Sequence, residues 1–179
     1  ILVCGSVMTS VGSKSYWKTL WNKEAGDETL SYVDVENMES IETEDIDEVG
    51  VYKEIAKVMG NYLVRLEYKP KGMVLTRYTV DGDQRRAILF YKYENEIIRY
   101  TMYMNSKDSS LGQKAVDKLL DEYVVMNGKK EINVKEYEVK NKKEKRYIAE
   151  FEDKGIQYQL KGVMKKDEFE KILKNLFFM

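Results

Sequence analysis

The sequence predicts an α+β domain: an antiparallel sheet of about seven strands, with a helix before it and an amphipathic C-terminal helix packed on it. Three observations carry this. Near Gly60 the spacing of apolar residues changes from helical to alternating. Alternating runs then follow one another through turn signals, without the strand–helix alternation of a parallel sheet. The chain closes on apolar residues at helical spacing.

In the first helix Tyr52, Ile55, Ala56 and Met59 share one face, and Gly60 is its stop. Thr43 is a candidate cap, which would put Glu44, Asp45 and Asp47 in the first turn at the positive end of the dipole. A strand follows, in which Tyr62, Val64, Leu66 and Tyr68 alternate with Leu63, Arg65, Glu67 and Lys69 until Pro70 and Gly72. Met73 to Val80 is the next, turned by Asp81-Gly82 into Ala87 to Tyr93. Glu94-Asn95-Glu96 reverses the chain into Ile97 to Met104.

Lys107 to Glu122 fits a helical face through Val116, Leu119, Leu120 and Tyr123, whereas Tyr123 to Met126 reads as extended; its type stays open. Ile132 to Val139, Tyr147 to Glu152 and Ile156 to Val163 complete the strands, with Asp153-Lys154-Gly155 as the last turn. Phe169, Ile172, Leu173, Leu176 and Phe177 form the apolar stripe of the closing helix.

Composition narrows the function classes. With 179 residues, 43% of them hydrophobic, the chain supports a sizeable core without disulfides or metals. Fourteen tyrosines and a single proline favour β-structure. Lys and Arg total 30 against 31 Asp and Glu, which gives no overall pull toward nucleic acid. The complete absence of His removes Ser-His-Asp and Cys-His catalysis and the commonest zinc and iron ligand. One cysteine, Cys4, forms no internal disulfide and leaves the redox compartment unread.

Before the domain, the chain divides into an apolar membrane-proximal segment, residues 1–12, and a helical and acidic linker, residues 13–50, with the domain proper at 51–179. The uncharged run Ile1 to Gly12 is too short to span a bilayer but suits the outer end of a longer span, and Trp17 and Trp21 suit the headgroup belt. The alternative is an amphipathic helix whose Trp17, Leu20 and Trp21 cover a groove of the domain. Val3 stands where a lipoprotein signal wants a small residue before Cys4. Asp34 to Glu48 holds eight carboxylates and no Lys or Arg. It lacks the alternate acids and central Gly of a calcium loop and reads as solvated linker.

For chemistry, the adjacent acids Asp121-Glu122 and Glu152-Asp153 are available, but their contexts read as turns or exposed surface, without the burial that retunes a catalytic acid. No catalytic residue, metal site or cofactor is expected. Lys140, Lys142, Lys143, Lys145 and Arg146 form a basic hairpin loop able to touch polyanions, diluted by Glu144. The richest candidate for ligand contact is aromatic: Tyr91, Tyr93, Tyr100, Met102 and Tyr158, within a wider set of tyrosines whose apolar bodies and polar tips suit a lipid, glycan or peptide. Cross-strand packing is the competing explanation for them.

Leu66 to Met73, a strand ending in Y-x-P-x-G-M, and Ala87 to Tyr93 resemble an uncharacterised domain of Gram-positive bacteria, the domain of unknown function 4367 family. Tyr158-Gln159-Leu160-Lys161-Gly162 and the helix Asp167 to Leu173 resemble its Y-x-L-x-G strand and E-E-F-x-K-I helix, so the likeness runs from about Val51 to Phe178. The resemblance implies a C-terminal, extracellular domain following a single membrane span, in some members of anti-sigma-like regulators. It brings no catalytic residue. The function expected is therefore a non-catalytic sensor or interaction domain, facing an envelope ligand or protein partner. The alternative is a carrier-like domain holding an apolar molecule on a curved sheet. Oligomeric state is not legible.

Overall fold

The computed structural model describes residues 40–42, 46–104 and 117–179. The apolar run Ile1 to Gly12, the pair Trp17 and Trp21, and the proposed cap Thr43 with Glu44 and Asp45 lie outside the described residues.

Helix α1 spans Glu48–Met59. Its N-cap is Asp47, whose carboxylate accepts a hydrogen bond from the Val49 N–H at 3.1 Å. Asp47 thus caps the helix instead of lying in its first turn, because its extended backbone aims the short side chain at the exposed amide. Gly60 ends the helix at φ 94°, and its N–H reaches the Ala56 carbonyl at 2.8 Å. Val51, Tyr52, Ile55 and Met59 are buried.

The strands are β1 (Ser40–Glu42), β2 (Arg65–Leu66), β3 (Val74–Asp81), β4 (Arg86–Tyr93), β5 (Glu96–Tyr103), β6 (Leu119–Asn127), β7 (Lys130–Tyr137), β8 (Lys145–Asp153) and β9 (Ile156–Met164). Helix α2 (Lys166–Lys174) and β10 (Leu176–Phe177) close the chain. The main sheet runs β1-β3-β4-β5-β9-β8-β7-β6, and every described pairing in it is antiparallel. It consists of two meanders, β3-β4-β5 and β6-β7-β8-β9, joined by β5 against β9. The expected α+β architecture of about seven long strands with a helix before and a helix after holds.

Tight turns connect the meanders. At β8–β9, Lys154 and Gly155 both adopt positive φ, 50° and 78°, the twist-compatible geometry of a two-residue hairpin. One core lies between the sheet and the two helices: Ile55, Leu63, Leu89, Ile98, Tyr100, Leu160, Phe169, Ile172 and Leu173 are all fully buried in it.

Two expectations are corrected, and one open reading is resolved in part. The alternation from Tyr62 to Tyr68 is not a strand of the main sheet: Leu63 and Val64 are both buried while Tyr62 is 61% exposed, and only Arg65–Leu66 is a strand, paired with β10. The closing helix stops at Lys174, because the chain turns at Asn175 to set Leu176 and Phe177 opposite Leu66 and Arg65. Leu176 is buried, but Phe177 is largely exposed and does not belong to the helix stripe. Of the segment whose type stayed open, Lys107 to Val116 lie outside the described residues, and from Leu119 onward the chain is strand β6.

Candidate functional site

The five residues singled out for ligand contact lie on the helix-covered face of β4, β5 and β9. Tyr91, Tyr100, Met102 and Tyr158 are buried to 1% exposure or less, and Tyr93 is buried at the margin. Two of these rings pack on protein: Tyr158 stacks on Phe151 at 4.9 Å and lies 6.0 Å from Tyr100. The hydroxyls are committed as well. Tyr100 donates to the Val64 carbonyl at 3.0 Å, Tyr158 accepts from the Val64 N–H at 3.2 Å, and Tyr52 accepts from the Leu66 N–H at 3.4 Å. Tyr91 donates to Glu48 at 2.8 Å, Tyr78 to Glu54 at 2.9 Å and Tyr68 to Glu168 at 2.8 Å.

This pattern has a physical cause. The 63–66 segment crosses under the sheet with few ladder partners, and buried amides without partners are costly. Tyrosines reaching from α1, β5 and β9 supply the missing bonds. Burial pushes the Tyr91 and Tyr100 phenols well above their ordinary value, and pushes Tyr158 up to about 12, so all three stay neutral at physiological pH.

An open cleft of about 380 Å³ forms where three connections meet: the β4–β5 turn (94–96), the β7–β8 loop (141–144) and the exit of β9 toward α2 (163–165). Tyr93, Val163 and Met164 make an apolar floor. The rim carries Glu94, Glu96 and Glu144 beside Lys142, Lys143 and Lys165, so its charges balance. Lys142 pairs with Glu96 and ties the loop to the turn. Asn141 at φ 63° and Glu94 at φ 53° set both reversals in left-handed backbone. Burial, with Glu94 and Glu168 beside it, raises the Tyr93 phenol above its ordinary value. Such a site has the shape and mixed polarity to hold a polar group bearing both charges.

The structure disperses the basic run. Arg146 is buried against Asp117, Lys142 faces Glu96, and Lys145 belongs to β8, leaving Lys140 and Lys143 as its exposed members. The acid pairs are strand residues, not turn residues. Asp121 and Glu122 are exposed on β6, whereas Asp153 is buried against Lys130 and its neighbour Glu152 accepts from Gln157. Among the described residues no cluster of three His, Cys, Asp or Glu side chains is arranged to hold a metal ion. No described helix is long and apolar enough to cross a membrane.

The signals for the cleft were present in the sequence as two unconnected features, the Glu94-Asn95-Glu96 reversal and the basic loop. Their meeting depends on β5 pairing with β9, which local sequence pattern does not encode. An antiparallel sheet of two abutting meanders, with both helices on one face and a loop-lined cleft at one end, defines an α+β domain. The sequence model of a family described as a domain of unknown function (DUF4367) matches residues 63–176, and the chain belongs to that family. No curated protein and no solved structure matches it.

Proposed function

We propose that this chain is a non-catalytic sensor or interaction domain on the outer face of a membrane-anchored protein, of an anti-sigma-like kind, and that it reads its ligand at the cleft between 94–96, 141–144 and 163–165. The observation that carries the reading is the cleft itself: an apolar floor with three carboxylates and three ammonium groups at its rim. A rim of both signs is suited to a polar partner that also carries both, such as the peptide stem of a cell-wall fragment or a peptide segment of a protein. Placement outside the membrane is supported by the uncharged start, the two tryptophans after it and the habit of the resembling family. The carrier alternative would need the core tyrosines to face a lumen, and their hydroxyls are spent on Val64, Glu48 and Leu66.

Titrating the isotope-labelled chain with soluble peptide-bearing wall fragments should shift the amide resonances of Asn95, Asn141 and Lys143. Lys143→Glu combined with Lys165→Glu should weaken binding about tenfold, the equivalent of one lost charge contact. Shifts confined to other surfaces, or affinity unchanged in the double variant, would remove the cleft from consideration. For placement, protease added to intact cells should cleave the domain. Protection until lysis would defeat the extracellular assignment.

A further inference from the structure

The main sheet has two faces, and α1 and α2 both lie on one of them. Along β4, Ala87, Leu89 and Tyr91 enter the core on that side, so Arg86, Ile88, Phe90 and Lys92 point the other way. Register sets Arg77 and Thr79 of β3, and Arg99 and Thr101 of β5, beside Phe90 and Ile88. Yet Ile88, Phe90 and Arg99 are buried on this helix-free face. Long arginine side chains can fold over Phe90, and the Arg77 guanidinium lies 5.8 Å from its ring. That does not hide short side chains. Thr79 and Thr101, which flank Ile88, are 1% and 4% exposed, so this half of the face calls for a further layer of chain.

We propose that residues 27–39, the acidic stretch just before β1, lie as a strap across the helix-free face of β3, β4 and β5. Charge, reach and topology each select this stretch. On that face β3, β4 and β5 present Arg77, Arg86, Lys92 and Arg99 against one carboxylate of their own, Asp81, which accepts from the Gln84 N–H. A guanidinium as buried as that of Arg99 is stable only beside an anion, and its in-register neighbours are Phe90 and Lys161. Residues 27–39 hold Asp27, Glu28, Asp34, Glu36 and Glu39 with no Lys or Arg, and Leu30, Val33, Val35 and Met38 supply apolar cover for Phe90 and Ile88. The stretch ends at β1, which pairs with β3 and sets Glu42 opposite Arg77, so it starts from the edge nearest these residues. Extended, it reaches about 40 Å, against about 10 Å from β3 to β5. The β5–β6 connection serves the other half of the sheet: β6 lies beyond β9, β8 and β7, and just before it Asp117 pairs with Arg146 of β8. Residues 105–116 of that connection hold a single carboxylate, Asp108, beside Lys107 and Lys114. With the strap in place the folded unit begins near residue 27, and the acidic stretch is a layer of the domain instead of a solvated linker.

The inference does not depend on any ligand at the cleft, and its test uses the full chain alone. With Cys4→Ser and Asn37→Cys, a nitroxide attached to the single thiol should broaden the methyl resonances of Ile88 far more than those of Ile55 and Ile172, which are buried on the helix side. A glutamate-specific protease, with its products read by mass spectrometry, should cut the native chain at Glu28 and Glu39 much more slowly than the urea-unfolded chain. Asp34→Asn combined with Glu36→Gln should speed those two cuts about tenfold, the equivalent of one lost charge contact. Asp121→Asn combined with Glu122→Gln, at exposed positions on β6, should leave them unchanged. Broadening of Ile88 no greater than that of Ile55, native cutting as fast as in urea, or cutting indifferent to Asp34→Asn with Glu36→Gln would each overturn the proposal. So would broadening of Ile88 that arises only between chains, when nitroxide-bearing and methyl-labelled molecules are mixed, since the face would then belong to a second copy.

Discussion

Val64 shows why tyrosine and not phenylalanine fills this core. Its N–H and its carbonyl are both buried, and each finds a phenol, from Tyr158 and Tyr100. Tyr100→Phe keeps the ring and strands the carbonyl, so it should cost about 1–3 kcal/mol in urea unfolding, and Tyr158→Phe should cost a similar amount by stranding the amide. Tyr62→Phe, at an exposed ring, should shift stability by less than about 0.5 kcal/mol. Equal midpoints for all three would show that the hydroxyls are not needed. Gly162, the last residue of the Y-x-L-x-G strand, is fixed by close approach: a Cβ there would fall 2.2 Å from Cδ1 of Ile98, which is fully buried on β5. Gly162→Ala should therefore destabilise by about 1–3 kcal/mol. Ile98→Val removes the clashing atom, so the double variant should lose less than the sum of the two single losses, and strict additivity would disprove the contact. The aromatic set was legible in the sequence as important, but its role was not, because sequence shows a polar tip without showing the buried amide it meets.

At the scale of elements, helices were legible and their limits were not. The stripe of α2 follows from spacing alone, and Phe169, Ile172 and Leu173 are indeed fully buried. Its end does not follow, since Leu176 continues the stripe yet pairs with Leu66, a partner more than a hundred positions away. The same limit explains the misread run from Tyr62 to Tyr68. Its alternation is genuine, but strand character requires a neighbouring strand, and only Arg65 and Leu66 find one. Leu173→Ala tests the docking of α2 directly. Removing a side chain with no exposure from this interface should lower stability by about 2–5 kcal/mol, through lost burial and the cavity left behind. The variant should unfold at clearly lower denaturant, and a midpoint equal to the parent's would mean that α2 does not hold the sheet.

The whole molecule brings two meanders together through β5 and β9, and that single long-range pairing creates both the cleft and the tyrosine-lined core. Local pattern supplied each hairpin, but the order in which hairpins abut is decided by packing under α1 and α2, which no window of sequence contains. One consequence is measurable on the intact chain. Burial raises the phenols of Tyr91 and Tyr100 well above 10.0, and those of Tyr147 and Tyr158 to about 12. In the unfolded chain the same groups ionise near the ordinary value of about 10. The native state therefore holds protons that the unfolded state releases, so stability is full below about pH 10 and falls as pH rises toward about 12. Parallel absorbance and circular dichroism titrations should show the buried phenols ionising only as the fold is lost, in one cooperative step. If these tyrosines instead ionised near pH 10 with the sheet spectrum intact, they would have to be open to solvent, and the core described here would be wrong at its centre.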